Sequence, residues 1–217
     1  MAGSTRDALL EQGALLFARN GVDRVTARQL HDAIGARNES ALHYHFGGKA
    51  GLVREIVVAH LSAVEERRAP LVAAIEAAAR AADLDALVHA LAAPMAADLD
   101  TPLGRAHLRM VAQISHPSLA YQSPFRLVDA PAGRAVARWL GEALSRLPEA
   151  IRTERFAALR VQLVGLCGSR ARLLDSGRGG VAGGNGLFLA NLIDMLVAGL
   201  RAEPSPRTLE ELAPTPN

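Results

Sequence analysis

The sequence predicts an all-α protein, and three observations support this fold class. Half of its 217 residues are apolar but only 4% are aromatic, and alanine and leucine supply most of the apolar residues. These residues recur at the three- and four-residue spacing of an amphipathic helix. Glycines and prolines cluster between the periodic stretches, where they end helices. We therefore expect about nine to ten helices in total.

The first two helices are marked by their end signals. Ser4 and Thr5 are N-cap residues for a first helix, whose apolar residues recur until Gly21 ends it. Thr26 is followed three residues later by Gln29, which is the spacing of a capping box. The second helix is therefore short and begins just after Thr26.

A third helix follows after a short turn. Asn38 can cap the segment ESALHYHF, and Gly47 and Gly48 end it. Two short helices joined by a tight turn that contains glycine form a helix-turn-helix motif. We therefore expect residues 1–50 to be a three-helix domain of this kind.

The remaining chain predicts a larger helical domain, residues 51–203. A fourth helix, KAGLVREIVVAHLSAVEERR, begins at Lys49, its residues 51–68 connect the two domains, and Pro70 is expected to end it. Further helices are expected at about 71–82, 84–99, 102–115, 131–147, 149–175 and 187–200. The glycine-rich segment 176–186 is expected to be a mobile loop and residues 204–217 a disordered tail.

Composition and motifs exclude several classes of protein. No apolar run reaches the length of about 18 residues that a membrane span needs, so we expect a soluble, cytoplasmic protein. The single cysteine, Cys167, excludes an intrachain disulfide and a CxxC metal site. Gly177 to Ala182, GRGGVA, loosely fits a dinucleotide-binding pattern but follows a helix rather than a strand. With no nucleophile elbow, P-loop lysine or paired carboxylates, we expect neither an enzyme nor a cofactor.

The stretch SALHYHFGGKAGL, Ser40 to Leu52, is a candidate metal site, aromatic core or binding surface. His43 and His45 lie two residues apart, about 200° around a helix, so they cannot share an ion. Leu42 and Phe46, at i and i+4, can face the core. The remaining face suits the major groove of DNA and its flanking phosphates, and it consists of Ser40, Ala41, His43, Tyr44 and His45.

Lys49 is a candidate phosphate contact. It is the only lysine among 24 basic residues, and it lies in the first turn of the fourth helix, where the helix dipole disfavours a cation. A phosphate at that helix end would offset this cost. The alternative is a solvated surface lysine without a binding role.

Residues Leu9 to Leu52 resemble the DNA-binding domain of the TetR family of transcriptional regulators. The shared pattern is LL..G..LFA..G in the first helix, T.R.L..A.G in the second, and L..HF..K..L across the third and fourth. The resemblance implies a ligand-responsive regulator, by default a repressor, that binds a palindromic operator on double-stranded DNA as a homodimer and is released by a small organic effector. Activation stays open. The alternative is a helical small-molecule-binding or interaction module without sequence-specific DNA binding.

The resemblance also implies the residues that contact DNA. Thr26 and Arg28, at the start of the second helix, would contact DNA phosphates, and Lys49 would contact a further phosphate. The residues expected to enter the groove or grip the DNA backbone and base edges are Arg37, Asn38, Ser40, Ala41, His43, Tyr44 and His45.

The larger domain is expected to bind ligand and to dimerise. Each of its last two predicted helices has an apolar stripe along one face. These two helices suit a symmetric dimer interface in which they form a four-helix bundle with the same helices of a second copy, and the alternative is that the stripes pack in the intramolecular core. The predicted interface residues are Phe156, Leu159, Leu163, Leu166, Leu189, Leu192, Ile193, Leu196, Val197 and Leu200. A symmetric dimer would place its two recognition helices about 34 to 36 Å apart.

A ligand pocket is predicted from polar and aromatic residues on otherwise apolar faces. His107 lies on such a face, although a lone histidine there can also be a core residue. The full set of predicted contacts is His107, Met110, Gln113, His116, Tyr121, Phe125 and Trp139. These side chains would suit a medium-sized organic molecule.

Overall fold

The computed structural model describes residues 5–35, 40–115, 128–177 and 183–212, and confirms the all-α class. Ten α-helices occur in these ranges: α1 Thr5–Asn20, α2 Ala27–Ala33, α3 Ser40–Phe46, α4 Lys49–Ala77, α5 Leu84–Ala96, α6 Pro102–Ile114, α7 Pro131–Ala143, α8 Glu149–Asp175, α9 Gly184–Arg201 and α10 Pro206–Glu210. One 3-10 turn, Ala97–Asp100, joins α5 to α6. In the described parts of the chain, no helix is both long and apolar enough to span a membrane.

The helix-start signals act as the sequence predicts. The backbone N–H of Gln29 donates to Thr26 Oγ1 at 3.3 Å, and the N–H of Thr26 donates to Gln29 Oε1 at 2.9 Å, which completes the capping box. Thr101 caps α6 by accepting from the N–H of Gly104 at 3.0 Å. Gly21 follows α1 with φ +94°, a conformation that glycine adopts without strain.

The amino-terminal helices enclose a small core. Its largest fully buried side chain is Phe17 of α1, which is packed in one cluster with buried residues of α2, α3 and α4. Met110 and Ile114 of α6 belong to the same cluster. The core of the amino-terminal helices is therefore closed by a helix of the larger domain.

Helix α4 continues through Pro70, so the predicted break after residue 68 and the separate helix 71–82 are both wrong. Proline removes a single hydrogen bond inside a helix, because it has no N–H to donate. The turns that follow it are held by tertiary packing, since Val72 and Ile75 are buried in the core of the larger domain. α4 therefore runs from the amino-terminal core into the second core as one element.

Side chains of α4 satisfy backbone carbonyls near the proline in α5. Pro94 cannot donate to the carbonyl of Ala90, and Arg68 Nε donates to that oxygen instead, at 3.1 Å. Arg67 Nε donates to the carbonyl of Pro94 at 3.0 Å. The two arginines thereby fix α4 against α5.

Six of the ten predicted dimer-interface residues are buried inside the single chain. α8 packs against α6 and α9 against α5, so the apolar stripes are consumed by the intramolecular core. These six are Leu159, Leu163, Leu192, Leu196, Val197 and Leu200. Phe156, Leu189 and Ile193 are half-buried against the same core, and Leu166 is exposed.

Two segments expected to be irregular contain helix. α9 begins at Gly184, inside the segment predicted to be a loop, and residues 178–182 of that segment lie outside the described ranges. α10 lies in the predicted disordered tail, where Ser205 caps it by accepting from the N–H of Thr208 at 3.2 Å. Disorder is therefore wrong for residues 206–210.

Candidate nucleic-acid interface

Helix α3 divides into a buried and an exposed face. Leu42 and Phe46 are only 3% and 6% exposed and pack in the amino-terminal core, as their i, i+4 spacing predicts. Tyr44, between them in sequence, is 83% exposed. The aromatic-core interpretation therefore holds for Leu42 and Phe46, and Tyr44 lies on the remaining face, as the spacing predicts.

The exposed face of α3 carries the polar side chains predicted to contact DNA. Ser40, His43, Tyr44 and His45 are exposed, and Ala41 is half-buried. The rings of Tyr44 and His45 meet edge to face, with centroids 5.0 Å apart. This face presents hydroxyl, imidazole and phenol groups to solvent.

The start of α2 supplies further exposed polar groups. Thr26 and Arg28 are both exposed, and Arg28 Nε lies 3.9 Å from Asp32 Oδ2. An exposed pair at that distance contributes little to stability and leaves the guanidinium available. Arg37 and Asn38, predicted between α2 and α3, lie outside the described residues.

Lys49 has an intramolecular role that the sequence did not reveal. Its ammonium donates to the carbonyls of Asp23, at 3.2 Å, and Val25, at 2.9 Å. These bonds join the start of α4 to the loop that presents Thr26. Because an ammonium has three donors, one N–H remains for another acceptor.

His31 fixes α3 to α2. It is buried, and its Nε2 accepts the backbone N–H of Leu42 at 3.4 Å. Among the described residues, no group of three or more His, Cys, Asp or Glu side chains could hold a metal ion. His31 therefore acts as a structural residue of the motif.

Two polar residues of α6 bind the end of α1. Gln113 Oε1 accepts from the N–H of Val22 at 3.1 Å, and Arg109 Nη2 donates to the carbonyl of Ala18 at 2.8 Å. Gln113 and the buried Met110 thus contact the amino-terminal helices, and their contact with a ligand stays a prediction. Sequence spacing could not reveal a bond across 91 residues.

His107 lies in a small cluster of titratable groups. Its ring centroid is 5.2 Å from that of buried His60, whose Nδ1 lies 3.2 Å from Asp98 Oδ2. Burial, the largest cause, acts together with the nearby His60 and Arg67 and against the opposing charge of Asp98, and the pKa of His107 is lowered to about 4. His107 is therefore neutral at pH 7.

The other predicted ligand contacts lie either in the core of the larger domain or outside the described residues. Trp139 is buried in the core of the larger domain, and its contact with a ligand stays a prediction. His116, Tyr121 and Phe125 lie outside the described residues. A groove of about 1230 Å³ between the start of α8 and α10 contains none of the seven predicted residues.

Comparison with known proteins gives a family match for one part of the chain. Residues 9–56 match the family model described as "Bacterial regulatory proteins, tetR family". The chain is also similar to the crystal structure of a TetR family transcriptional regulator, PfmR, from Thermus thermophilus. That likeness has 22% sequence identity and a TM-score of 0.31, and covers 92% of this chain and 86% of the other. No curated protein sequence matches the chain.

Proposed function

On the premise that residues 9–56 place this chain in the tetR family of bacterial regulatory proteins, we propose that it is a ligand-responsive transcriptional repressor. It binds a palindromic operator as a homodimer and is released by a small organic effector. The family supports the coarser statement, a DNA-binding transcriptional regulator. The operator, the dimer and the effector are the proposal.

The observation that carries the proposal is the exposed face of α3. A helix needs polar side chains directed outward and a buried opposite face to enter the major groove while fixed to its domain. α3 meets both conditions, since Leu42 and Phe46 anchor it and Tyr44 is almost fully exposed. We propose that Ser40, Ala41, His43, Tyr44 and His45 contact base edges or the DNA backbone.

Groups on both sides of α3 are suited to phosphates. Thr26 and Arg28 lie at the start of α2, and Lys49 lies at the start of α4. Contacts of this kind set the register of the protein on DNA without reading sequence. Arg37 suits a guanine and Asn38 an adenine, because each side chain matches that base in bidentate geometry.

The dimer is proposed to form through the outer face of α8 and α9. A shallow groove between these helices is lined by Gln162, Met195 and Gly199, which places these parts of the two helices on one surface. Met195 is 51% exposed, and Leu166 of α8 is 36% exposed. Exposed apolar side chains beside small residues suit close packing of helices from a second copy.

Effector release needs a connection between the domains, and two elements supply one. α4 is continuous from Lys49 to Ala77, and α6 binds the end of α1 through Arg109 and Gln113. A ligand that moves α6 would therefore move the DNA-binding helices. His107 remains the proposed effector contact, because it lies on α6 beside buried His60, whose Nε2 has no partner in the described residues.

The test is selection of DNA fragments from a random library by the purified protein, followed by titration of the best fragment at several salt concentrations. We expect an inverted repeat, tight binding at low salt and a steep loss of affinity as salt rises. Compounds that release this fragment would then identify the effector, and the fragment must weaken effector binding by the same factor. Weak binding without sequence preference would instead favour a small-molecule-binding module.

A further inference from the structure

Arg170 of α8 is a buried cation without a carboxylate partner. It is 5% exposed, its Nε donates to Asn185 Oδ1 at 3.2 Å, and its guanidinium lies 5.5 Å from the centre of the Phe188 ring. Its Nη1 is buried and has no hydrogen-bond acceptor among the described residues. Among the ion pairs of the described residues, none includes Arg170.

This arrangement is costly for the free protein. Burying a guanidinium removes its hydration, and only a counter-ion or a complete set of acceptors offsets that loss. The carboxylate nearest along the network, Asp100, receives its hydrogen bond from Asn185 Nδ2 at 2.9 Å and not from Arg170. The charge of Arg170 is therefore left without direct compensation.

The same place holds a second positive feature, the amino-terminal end of α9. This helix has 18 residues, begins at Gly184, has no side-chain cap and has no acidic residue in its first turn. Its first N–H groups lack intrahelical acceptors, and the helix dipole adds partial positive charge. Arg170 contacts this turn through Asn185, so a cation and a positive helix end lie together.

The first turn of α9 is also open to an approaching group. A Cβ atom at Gly186 would meet none of the described atoms within 4 Å, and the same holds at Gly184, where the backbone has φ +65°. Backbone N–H groups without neighbouring side chains can approach a tetrahedral anion closely, and a guanidinium adds charge-assisted hydrogen bonds. The open space, the uncapped N–H groups and the unpaired cation all indicate an anionic ligand.

We propose that the amino-terminal turn of α9 binds the phosphate group of a small molecule. The backbone N–H groups of Gly184, Asn185 and Gly186 donate to its oxygens, and Arg170 supplies the counter-charge. This site is separate from α3 and from His107, and it does not depend on DNA binding.

The direct test is a titration of the purified full chain with inorganic phosphate, followed by NMR of the backbone amides. Ionic strength is held constant with sodium chloride. We expect saturating shifts at Gly184, Asn185 and Gly186, and a Tm that rises with phosphate but not with chloride. Equal responses to phosphate and chloride, or shifts spread over the whole surface, would overturn the proposal.

Two variants assign the response to the site. Arg170→Gln removes the counter-charge and should weaken phosphate binding at least about tenfold.

Since loss of a buried side chain can impair folding, Gly186→Glu is the second variant: its carboxylate takes the place of the anion at an open position. This variant should raise Tm without phosphate and abolish the phosphate response, whereas the uncharged control Gly186→Gln should keep it. A phosphate response retained in Gly186→Glu would contradict the site.

Discussion

Lys49 combines a structural and a proposed binding role in one side chain. Its ammonium holds the carbonyls of Asp23 and Val25, and its remaining N–H is available to DNA. A phosphate contact and a purely structural bond both predict weaker DNA binding when the side chain is removed. They differ in the salt dependence, because only a phosphate contact releases a counter-ion.

We therefore predict that Lys49→Ala weakens binding to all DNA sequences and lowers the salt slope by about one phosphate contact. Fluorescence anisotropy at several salt concentrations measures both quantities. Gln29→Ala is the matched control, because it breaks the capping box of α2 without changing charge and should leave the slope unaltered. Weaker binding of Lys49→Ala with an unchanged salt slope would mean that Lys49 only stabilises the loop of Asp23 and Val25 and does not contact a phosphate.

His107 should make stability depend on pH. Its pKa is about 4 in the folded protein and about 6.5 when unfolded, so between these values the unfolded chain binds more protons. The free energy of unfolding should therefore fall as pH drops from 6.5 towards 4, by about 2 to 3 kcal/mol from this residue. Urea denaturation at several pH values in this range measures the free energy of unfolding. This free energy should depend less on pH in the His107→Gln variant than in the control His89→Gln, which replaces an exposed histidine of α5. Identical profiles would remove His107 as the source.

Residue spacing predicts which side chains of one helix are buried, but it does not predict contacts between residues that are far apart in the sequence. Leu42 and Phe46 are recognisable as core because both lie on one face of a short helix. The bond between Gln113 and Val22 joins residues 91 positions apart, and the bond from Leu42 to His31 depends on how two helices cross. No periodicity within one segment contains that information.

At the scale of elements, the crossing of α6 and α8 depends on Gly168. A Cβ atom there would lie 2.5 Å from the Cβ of Ala112 and 3.2 Å from the carbonyl oxygen of Leu108. Glycine thus lets the two helices approach closely. Because Gly168 has no Cβ, α6 and α8 can lie closer together than any other residue at this position would allow.

We predict that Gly168→Ala destabilises the protein by about 1 to 3 kcal/mol, because the helices must move apart. Chemical denaturation measures the change. Gly141→Ala is the control in helix α7, where an added Cβ meets nothing within 4 Å and alanine should stabilise by up to about 1 kcal/mol. Equal effects of the two substitutions would mean that α6 and α8 are not in tight contact.

Helix ends are predictable where a cap is local, and not where packing overrides propensity. Thr26 caps α2 as the spacing of its capping box predicts, and Asp83 and Thr101 cap α5 and α6 in the same local way. Pro70 gives an equally clear stop signal, yet α4 continues because Val72 and Ile75 are buried beyond it. The partners that bury them belong to other segments of the chain.

At the scale of the whole molecule, an apolar stripe on a helix does not reveal which surface covers it. The stripe on α9 fits an intermolecular bundle and an intramolecular core equally well by sequence, and its buried part packs on α5. What remains for a second copy is the outer face with Leu166 and Met195.

We predict that Met195→Glu raises the dissociation constant of the dimer at least about tenfold, since it places a charge in an apolar contact. Analytical ultracentrifugation should then find monomer at concentrations where the unmodified protein is dimeric, with unchanged helical content. Leu209→Glu, an exposed apolar position on α10, is the control that should stay dimeric. A dimeric Met195→Glu variant would place the interface elsewhere.

The burial of Cys167 makes the chain suitable for site-directed spin labelling. The thiol is fully buried, and burial raises its pKa to about 12, so it will not react with a thiol reagent on the folded protein. A cysteine introduced at Tyr44 would therefore carry the only label on each copy of the chain. Dipolar spectroscopy on the proposed dimer would then give one distance, between the two copies of α3, and movement caused by the proposed effector could be followed without removing a native residue from the core.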